Sequence, residues 1–255
     1  MTLTHRNILD LVVLFVFAEI LPLAAILLRR YGLRRSAGWI YMLVLAALRI
    51  TGSITGLTST SASDPRSLLE ASIICYSIGL TPILLLTLSF LRNANNNAPK
   101  PILSSILLRL PDVPIIVALA LAILGSTKVM GTDTKELNTG VDFLKYASII
   151  FAATLAVIGL FILLIARARA SLPAADRKLI TIMFFTWPLM AVKVLYGILS
   201  AFERDSKAFS STSNDIVSIV VQVAMSLLPE ALIAYMYVVT GFFAAKEERV
   251  YAYHG

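Results

Sequence analysis

Four ionisable residues lie deep within long apolar stretches of the sequence, where charged side chains are rare: Glu19, Arg49, Lys193 and Glu230. Inside a membrane, such groups are energetically costly and typically mark a ligand site, a proton relay or an ion pathway. They are therefore the first candidates for chemistry in this chain.

Glu19 and Arg49 are predicted to lie at similar depths, about 16 and 12 Å from the same face of the membrane at 1.5 Å per helical residue. Their helices follow one another along the chain and run antiparallel. We therefore expect an ion pair between the two side chains. The pair either stabilises the fold or makes Arg49 the charge partner of a carboxylate that acts in catalysis.

Glu230 is predicted to lie about 12 Å deeper than Lys193. Lys193 can then extend towards the nearer surface, and Glu230 is left without a base at its own depth. A carboxyl group in that position retains its proton. It could donate that proton, contact a ligand or pass ions, although a structural hydrogen bond between helices is an equally simple reading. Gln222 and Ser226 precede Glu230 at intervals of four residues, so this polar stripe must face other helices.

Aromatic side chains are predicted to line a cavity near Glu230 together with Gln222 and Ser226: Tyr76, Trp187 and Tyr196. Aromatic residues in membrane helices more often serve packing or lie at the membrane interface, and that reading stays open. Gly52 and Gly56 form a G-x-x-x-G pattern, which predicts a close approach between helices.

The composition indicates which elements must position these residues. Of 255 residues, 58% are hydrophobic and 15% are charged, and the mean hydropathy is +0.84. Soluble domains average roughly 45–50% apolar and about 25% charged residues. The composition therefore excludes a soluble globular enzyme and a disordered chain, and the single cysteine, Cys75, excludes a disulfide within the chain.

Seven apolar stretches are long enough to cross a hydrocarbon core of about 30 Å. They predict an all-α bundle of seven transmembrane helices in a single membrane domain spanning 1–255. The predicted spans are 9–28, 37–58, 68–91, 112–130, 141–166, 179–201 and 215–243.

The charges between the spans predict the orientation of the bundle. Of the 20 basic residues in the loops, the tails and the ends of the spans, 13 fall on one side. Short loops rich in Lys and Arg remain cytoplasmic. We therefore expect an outside or lumenal N-terminus and a cytosolic C-terminus, in a multi-pass protein of the endoplasmic reticulum or another endomembrane. Because topology explains the basic character, the bilayer is the expected partner and nucleic acid is not.

Several kinds of site lack the residues that they need. The only histidines are His5 and His254, and no clustered carboxylates of the DDxxD type occur in a span or cytosolic loop. We therefore predict no metal site and no cofactor. The retinal-type lysine of span 7 is missing, and so are the acidic-Arg-Tyr and NPxxY motifs of rhodopsin-class receptors.

Residues 31–56, YGLRRSAGWIYMLVLAALRITGSITG, resemble a fungal family of seven-span integral membrane proteins of largely uncharacterised function. The shared features are the basic turn, the small residues before Trp39, and Arg49 followed by Gly52. This resemblance implies the seven-span fold and makes Arg49 a hallmark position. In size, topology and lone intramembrane carboxylates, the chain is also similar to the membrane-bound terpene cyclases of fungal meroterpenoid pathways.

The cyclase resemblance implies that an intramembrane carboxylic acid protonates an epoxide or olefin of a lipophilic prenylated substrate and so starts cyclisation. Glu230 would be that acid, and Glu19, held by Arg49, the second carboxylate. The alternative is a non-enzymatic receptor-like or transport protein that binds a small lipophilic ligand or carries protons. The sequence leaves the oligomeric state open.

Overall fold

The structure, a computed structural model, describes residues 5–35, 37–59, 65–131, 133–203 and 215–253. Seven of its helical segments are long and apolar enough to cross a membrane. The described residues form helices and connecting turns without a β-strand. The predicted all-α, seven-helix architecture is thus confirmed, and the protein is a multi-pass membrane protein.

In the described residues, ten α-helices make up the seven spans, and three of the spans are interrupted. The third span is divided at Gly79, and the seventh contains a π-helical turn, Val223–Leu227. The fourth span is divided at Leu110 and Pro111. The helices are α1 His5–Arg35, α2 Ala37–Ser59, α3 Pro65–Ile78, α4 Leu80–Asn97, α5 Ser105–Arg109, α6 Asp112–Val129, α7 Thr134–Arg167, α8 Ala174–Phe202, α9 Ile216–Gln222 and α10 Leu228–Tyr253.

Each span presents an apolar face to the bundle and another to the lipid. On α1, Val13, Phe17 and Ile20 recur at helical spacing and are buried, whereas Val12 and Phe15 are exposed. Exposed hydrophobic side chains of this kind are stable where the surroundings are hydrocarbon rather than water. The outer surface of the bundle therefore fits a bilayer.

Helix contacts run in the order α1, α2, α3, α6, α7, α8 and α10, and α10 returns to α1. This order describes a ring of helices. The helix α4 lies inside the ring, where it contacts α2, α6, α7 and α8. The third span thus begins in the ring as α3 and continues in the centre as α4.

The break between α3 and α4 is at Gly79, against the side chain of Arg49. A Cβ atom on Gly79 would lie 1.9 Å from Nη2 of Arg49. Only a glycine leaves room for the guanidinium at this point. The break therefore both redirects the third span and admits a large cation to the bundle interior.

The π-helical turn in the last span ends two residues before Pro229. Proline has no N–H to donate to the carbonyl one turn earlier, so the regular α-helical hydrogen-bond pattern cannot continue there. Single π turns within α-helices frequently accompany functional sites. This one is followed within three residues by Glu230.

Candidate functional site

Glu230 is fully buried and contacts two cations. Arg49 donates from Nη2 to Oε2 of Glu230 at 2.6 Å and from Nε to Oε1. Lys193 donates from Nζ to Oε2 of the same carboxylate. Two positive charges at hydrogen-bond distance favour the ionised carboxylate. The prediction that Glu230 lacks a base at its depth is therefore wrong.

This prediction failed because it compared only the heights of backbone positions. The long side chain of Lys193 does not extend outward. Its Nζ contacts Glu230 and donates to Oγ of Ser226 at 3.2 Å. The π-helical turn also adds a residue to one turn of the last span, which changes which side chains face α8.

The predicted ion pair between Glu19 and Arg49 is also wrong. Glu19 is exposed on the outer surface of α1 and accepts a hydrogen bond from Tyr235 at 2.9 Å. Arg49 instead points into the bundle towards Glu230. Equal depth on neighbouring helices brings two side chains together only when both point towards the shared interface, and Glu19 does not.

Arg49 also connects the carboxylate of Glu230 to a second buried acid. Its Nη1 donates to the carbonyl of Tyr76 at 3.3 Å, and its guanidinium lies 4.9 Å from the centre of the Tyr76 ring. The Tyr76 hydroxyl donates to Oδ1 of Asp10 at 2.7 Å and lies 3.2 Å from Oγ of Ser53. A polar network thus extends from Asp10 on α1 to Lys193 on α8.

Asp10 is a member of this network that sequence reasoning missed. Its side chain is only 2% exposed, although its position near the start of α1 places it among the residues of the outer face. It is the second residue of the predicted span 9–28, and the apolar residues around it, Ile8, Leu9 and Leu11, were a signal that its side chain is buried. A Cβ on Gly56 would lie 2.6 Å from Oδ2 of Asp10, so this glycine makes room for the carboxylate.

The G-x-x-x-G pattern of α2 marks close packing, as expected. A Cβ on Gly52 would lie 2.9 Å from Cβ of Cys75, and Ser72 donates a hydrogen bond to the Gly52 carbonyl at 2.8 Å. The helix α3 therefore lies tightly against α2. This contact holds Tyr76 in reach of Arg49.

A cavity of about 350 Å³ occupies the half of the bundle that contains the N-terminus. Its position follows from the third span, because α3 lies in the ring and the centre is filled only where α4 begins. Leu80, the first residue of α4, lines the cavity. Apolar residues and hydroxyl-bearing residues share its wall, among them Ile73, Leu144, Phe151, Ser77, Ser126, Ser148 and Ser200.

The charges on the cavity wall are of one sign. Arg6 and Lys193 line the cavity, and no carboxylate does so among the described residues. An ammonium group has three N–H donors, and Glu230 and Ser226 account for two of those on Lys193. The wall also contains Tyr196, whose side chain is 8% exposed and whose hydroxyl has no hydrogen-bond partner in the described part of the chain.

Four of the five residues predicted to line the cavity do line it. The predicted residues that line it are Tyr76, Tyr196, Gln222 and Ser226, together with Lys193. Trp187 does not, because its Nε1 donates to the carbonyl of Leu155 at 3.0 Å and its ring covers Gly159. Glu230 lies behind Lys193, and Glu19 is on the outer surface. Neither predicted catalytic acid is a cavity residue.

The described residues contain no group of three or more His, Cys, Asp or Glu side chains that could hold a metal ion. Comparison with protein families matches residues 3–247 to a family described as "Domain of unknown function (DUF7702)". No curated protein and no solved structure matches the chain.

Proposed function

We propose that this chain, which belongs to the DUF7702 family, is a receptor-like membrane protein that binds a small amphiphilic molecule in its cavity. The observation that carries this proposal is the cavity itself. Its volume of about 350 Å³ is at the lower end of the range for small-molecule sites, roughly 300–1,000 Å³. Its wall combines apolar surface with a few polar groups, as ligand sites do.

A cavity that is closed at one end supports binding of a ligand rather than transport of that ligand through the bundle. Below Leu80, the side chains of Ile83 and Leu84 are fully buried. Tyr237 is also fully buried, and its hydroxyl oxygen lies 2.9 Å from Oγ1 of Thr87. The cavity therefore ends in a packed core, and a ligand enters and leaves on the side of the N-terminus.

A membrane-bound terpene cyclase is the second candidate function. Tyr76, Phe151 and Tyr196 on the cavity wall favour it, because aromatic faces stabilise carbocations. The acid that starts cyclisation counts against it. Glu230 accepts hydrogen bonds from two cations and is separated from the cavity by Lys193. A cyclase would need a proton donor other than the one predicted.

We further propose that the cavity opens to the lumen of an endomembrane compartment. This follows from the excess of basic residues on the opposite side of the spans. A ligand would then approach from the lumen or from the lumenal leaflet.

The binding function is tested with a substitution that fills the cavity. A Cβ on Gly197 meets nothing within 4 Å, and Gly197 lines the cavity, so Gly197→Leu places a larger side chain in open space. We expect purified wild-type protein to carry a small amphiphile that mass spectrometry detects, and the Gly197→Leu variant to lose it. The matched control is Leu195→Phe on the same helix, at a side chain that is 48% exposed.

Two outcomes would count against this proposal. If Gly197→Leu retains the same bound molecule as the control, the ligand is not in the cavity. If microsomes containing the wild-type protein convert a prenylated phenol or its epoxide into a cyclised isomer of unchanged mass, the protein is an enzyme and the cyclase is the correct function.

A further inference from the structure

The buried ion cluster beside the cavity carries an excess of positive charge. Arg49 and Lys193 share the single carboxylate of Glu230. The other buried acid in the network, Asp10, interacts electrostatically with Arg6, a second cation of the cavity wall. Among the described residues, Arg49 and Lys193 therefore carry one positive charge more than the carboxylate that they share compensates.

Such an excess is costly inside a membrane, where charges are hydrated poorly. Of the three ions in contact, Lys193 is the one that lines the cavity, and only two of its three donors have partners among the described residues. A negatively charged ligand group at Lys193 would neutralise the cluster and accept the third hydrogen bond.

A second polar group on the wall, the hydroxyl of Tyr196, could also accept a ligand. Tyr196 follows Lys193 by three residues on α8, so the two side chains lie on the same face of the helix. The buried Tyr196 hydroxyl has no hydrogen-bond partner among the described residues. An unsatisfied buried hydroxyl is destabilising, and an acceptor oxygen supplied by a ligand would relieve that cost.

We infer that the cavity receives a carboxylic acid with an apolar tail, whose carboxylate lies between the ammonium of Lys193 and the hydroxyl of Tyr196. One carboxylate supplies the single negative charge and the two acceptor oxygens that these groups require. Ile73, Leu144 and Phe151 provide apolar surface for the tail. This inference rests on the proposed binding function and specifies the chemical class of the ligand.

The test compares decanoate with decanol, which shares its chain but carries no charge. Binding is measured on the full chain in nanodiscs of zwitterionic lipid, at an alkaline pH that ionises the acid. We expect decanoate to bind at least tenfold more tightly than decanol to the wild-type protein, since hydrogen bonds to charged groups are among the stronger ones. Because Gly197→Leu fills the cavity, the binding of each probe to this variant measures its partition into the lipid.

Two variants separate the contributions of Tyr196 and Lys193 to decanoate binding. Tyr196→Phe removes only an oxygen atom that has no partner in the described residues, so it should fold normally and bind decanoate about tenfold more weakly. Lys193→Met leaves the pair of Arg49 and Glu230 in place and should bind the two probes equally. Lys145→Met is the matched control, at a lysine outside the cavity, and should bind as the wild type does.

Equal binding of decanoate and decanol to the wild type would overturn the carboxylate inference and leave the binding function standing. Decanoate binding that is unchanged in Tyr196→Phe would overturn the assignment of the Tyr196 hydroxyl. If neither probe binds and no amphiphile is purified with the wild type, the binding function fails as well.

Discussion

Replacement of Glu230 by glutamine removes the negative charge that two buried cations share. Removal of one partner from a buried ion pair costs about 3–5 kcal/mol, because the remaining charge stays buried without compensation. Here both Arg49 and Lys193 lose their counter-ion, whereas the amide oxygen of glutamine still accepts a hydrogen bond worth about 1 kcal/mol. We therefore expect Glu230→Gln to lower the free energy of unfolding by about 4 kcal/mol.

The assay is thermal unfolding of the purified protein in detergent, followed by the loss of the monodisperse peak in size-exclusion chromatography. At roughly 2–4 °C per kcal/mol for a chain of this size, the expected fall in Tm is about 8–16 °C. Glu19→Gln is the matched control, since it makes the same change at an exposed membrane residue. Its Tm should equal or exceed that of the wild type, because it removes a charge from the lipid-facing surface.

A third variant tests the electrostatic reasoning within the cluster. Lys193→Met leaves Glu230 paired with Arg49 and removes the excess positive charge, so its Tm should fall much less than that of Glu230→Gln. If Glu230→Gln and Glu19→Gln unfold at the same temperature, the cluster does not carry the buried charge that the structure assigns to it. A larger loss in Lys193→Met than in Glu230→Gln would also contradict this account.

The remaining predictions concern packing, the polar network and topology. Gly79→Ala should lower the free energy of unfolding by about 1–3 kcal/mol, because the new Cβ meets Arg49. Gly197→Ala should leave the free energy of unfolding unchanged or raise it by about 0.5–1 kcal/mol. Equal Tm values for the two variants would show that Gly79 is not packed against Arg49. Tyr76→Phe removes the donor to the buried Asp10 and should cost about 1–3 kcal/mol; a Tm equal to that of the wild type would mean that Asp10 has another donor. A reporter enzyme fused to the C-terminus should be active only when it is of the cytosolic type, and activity of a lumenal reporter would reverse the topology.

The seven-helix fold could be predicted from the sequence because membrane insertion depends on a local property, the hydrophobicity of about 20 successive residues. The same physics identified Arg49, Lys193 and Glu230, since a charge within such a stretch stands out without any knowledge of the fold.

The pairing of those charges could not be predicted, because it depends on where each side chain points around its helix. The break at Gly79 and the π-helical turn before Glu230 change these directions locally, and depth estimates assume regular helices. Glu19 matched Arg49 in depth but faces the lipid. Asp10, the second residue of the first predicted span, was not among the candidates, although its side chain is buried in the bundle.

The separation of Arg49 and Glu230 along the chain has a consequence for the order of assembly. The two residues are 181 positions apart, so at about 5–20 residues per second the ribosome makes Glu230 roughly 10–40 seconds after Arg49. Among the described residues, the other partners of the guanidinium belong to the first three spans. They are the carbonyl and ring of Tyr76 and, through the Tyr76 hydroxyl, Asp10. These groups shelter the cation while the remaining helices are made. Insertion of the last span then supplies the carboxylate of Glu230 and completes the charge pairing of Arg49.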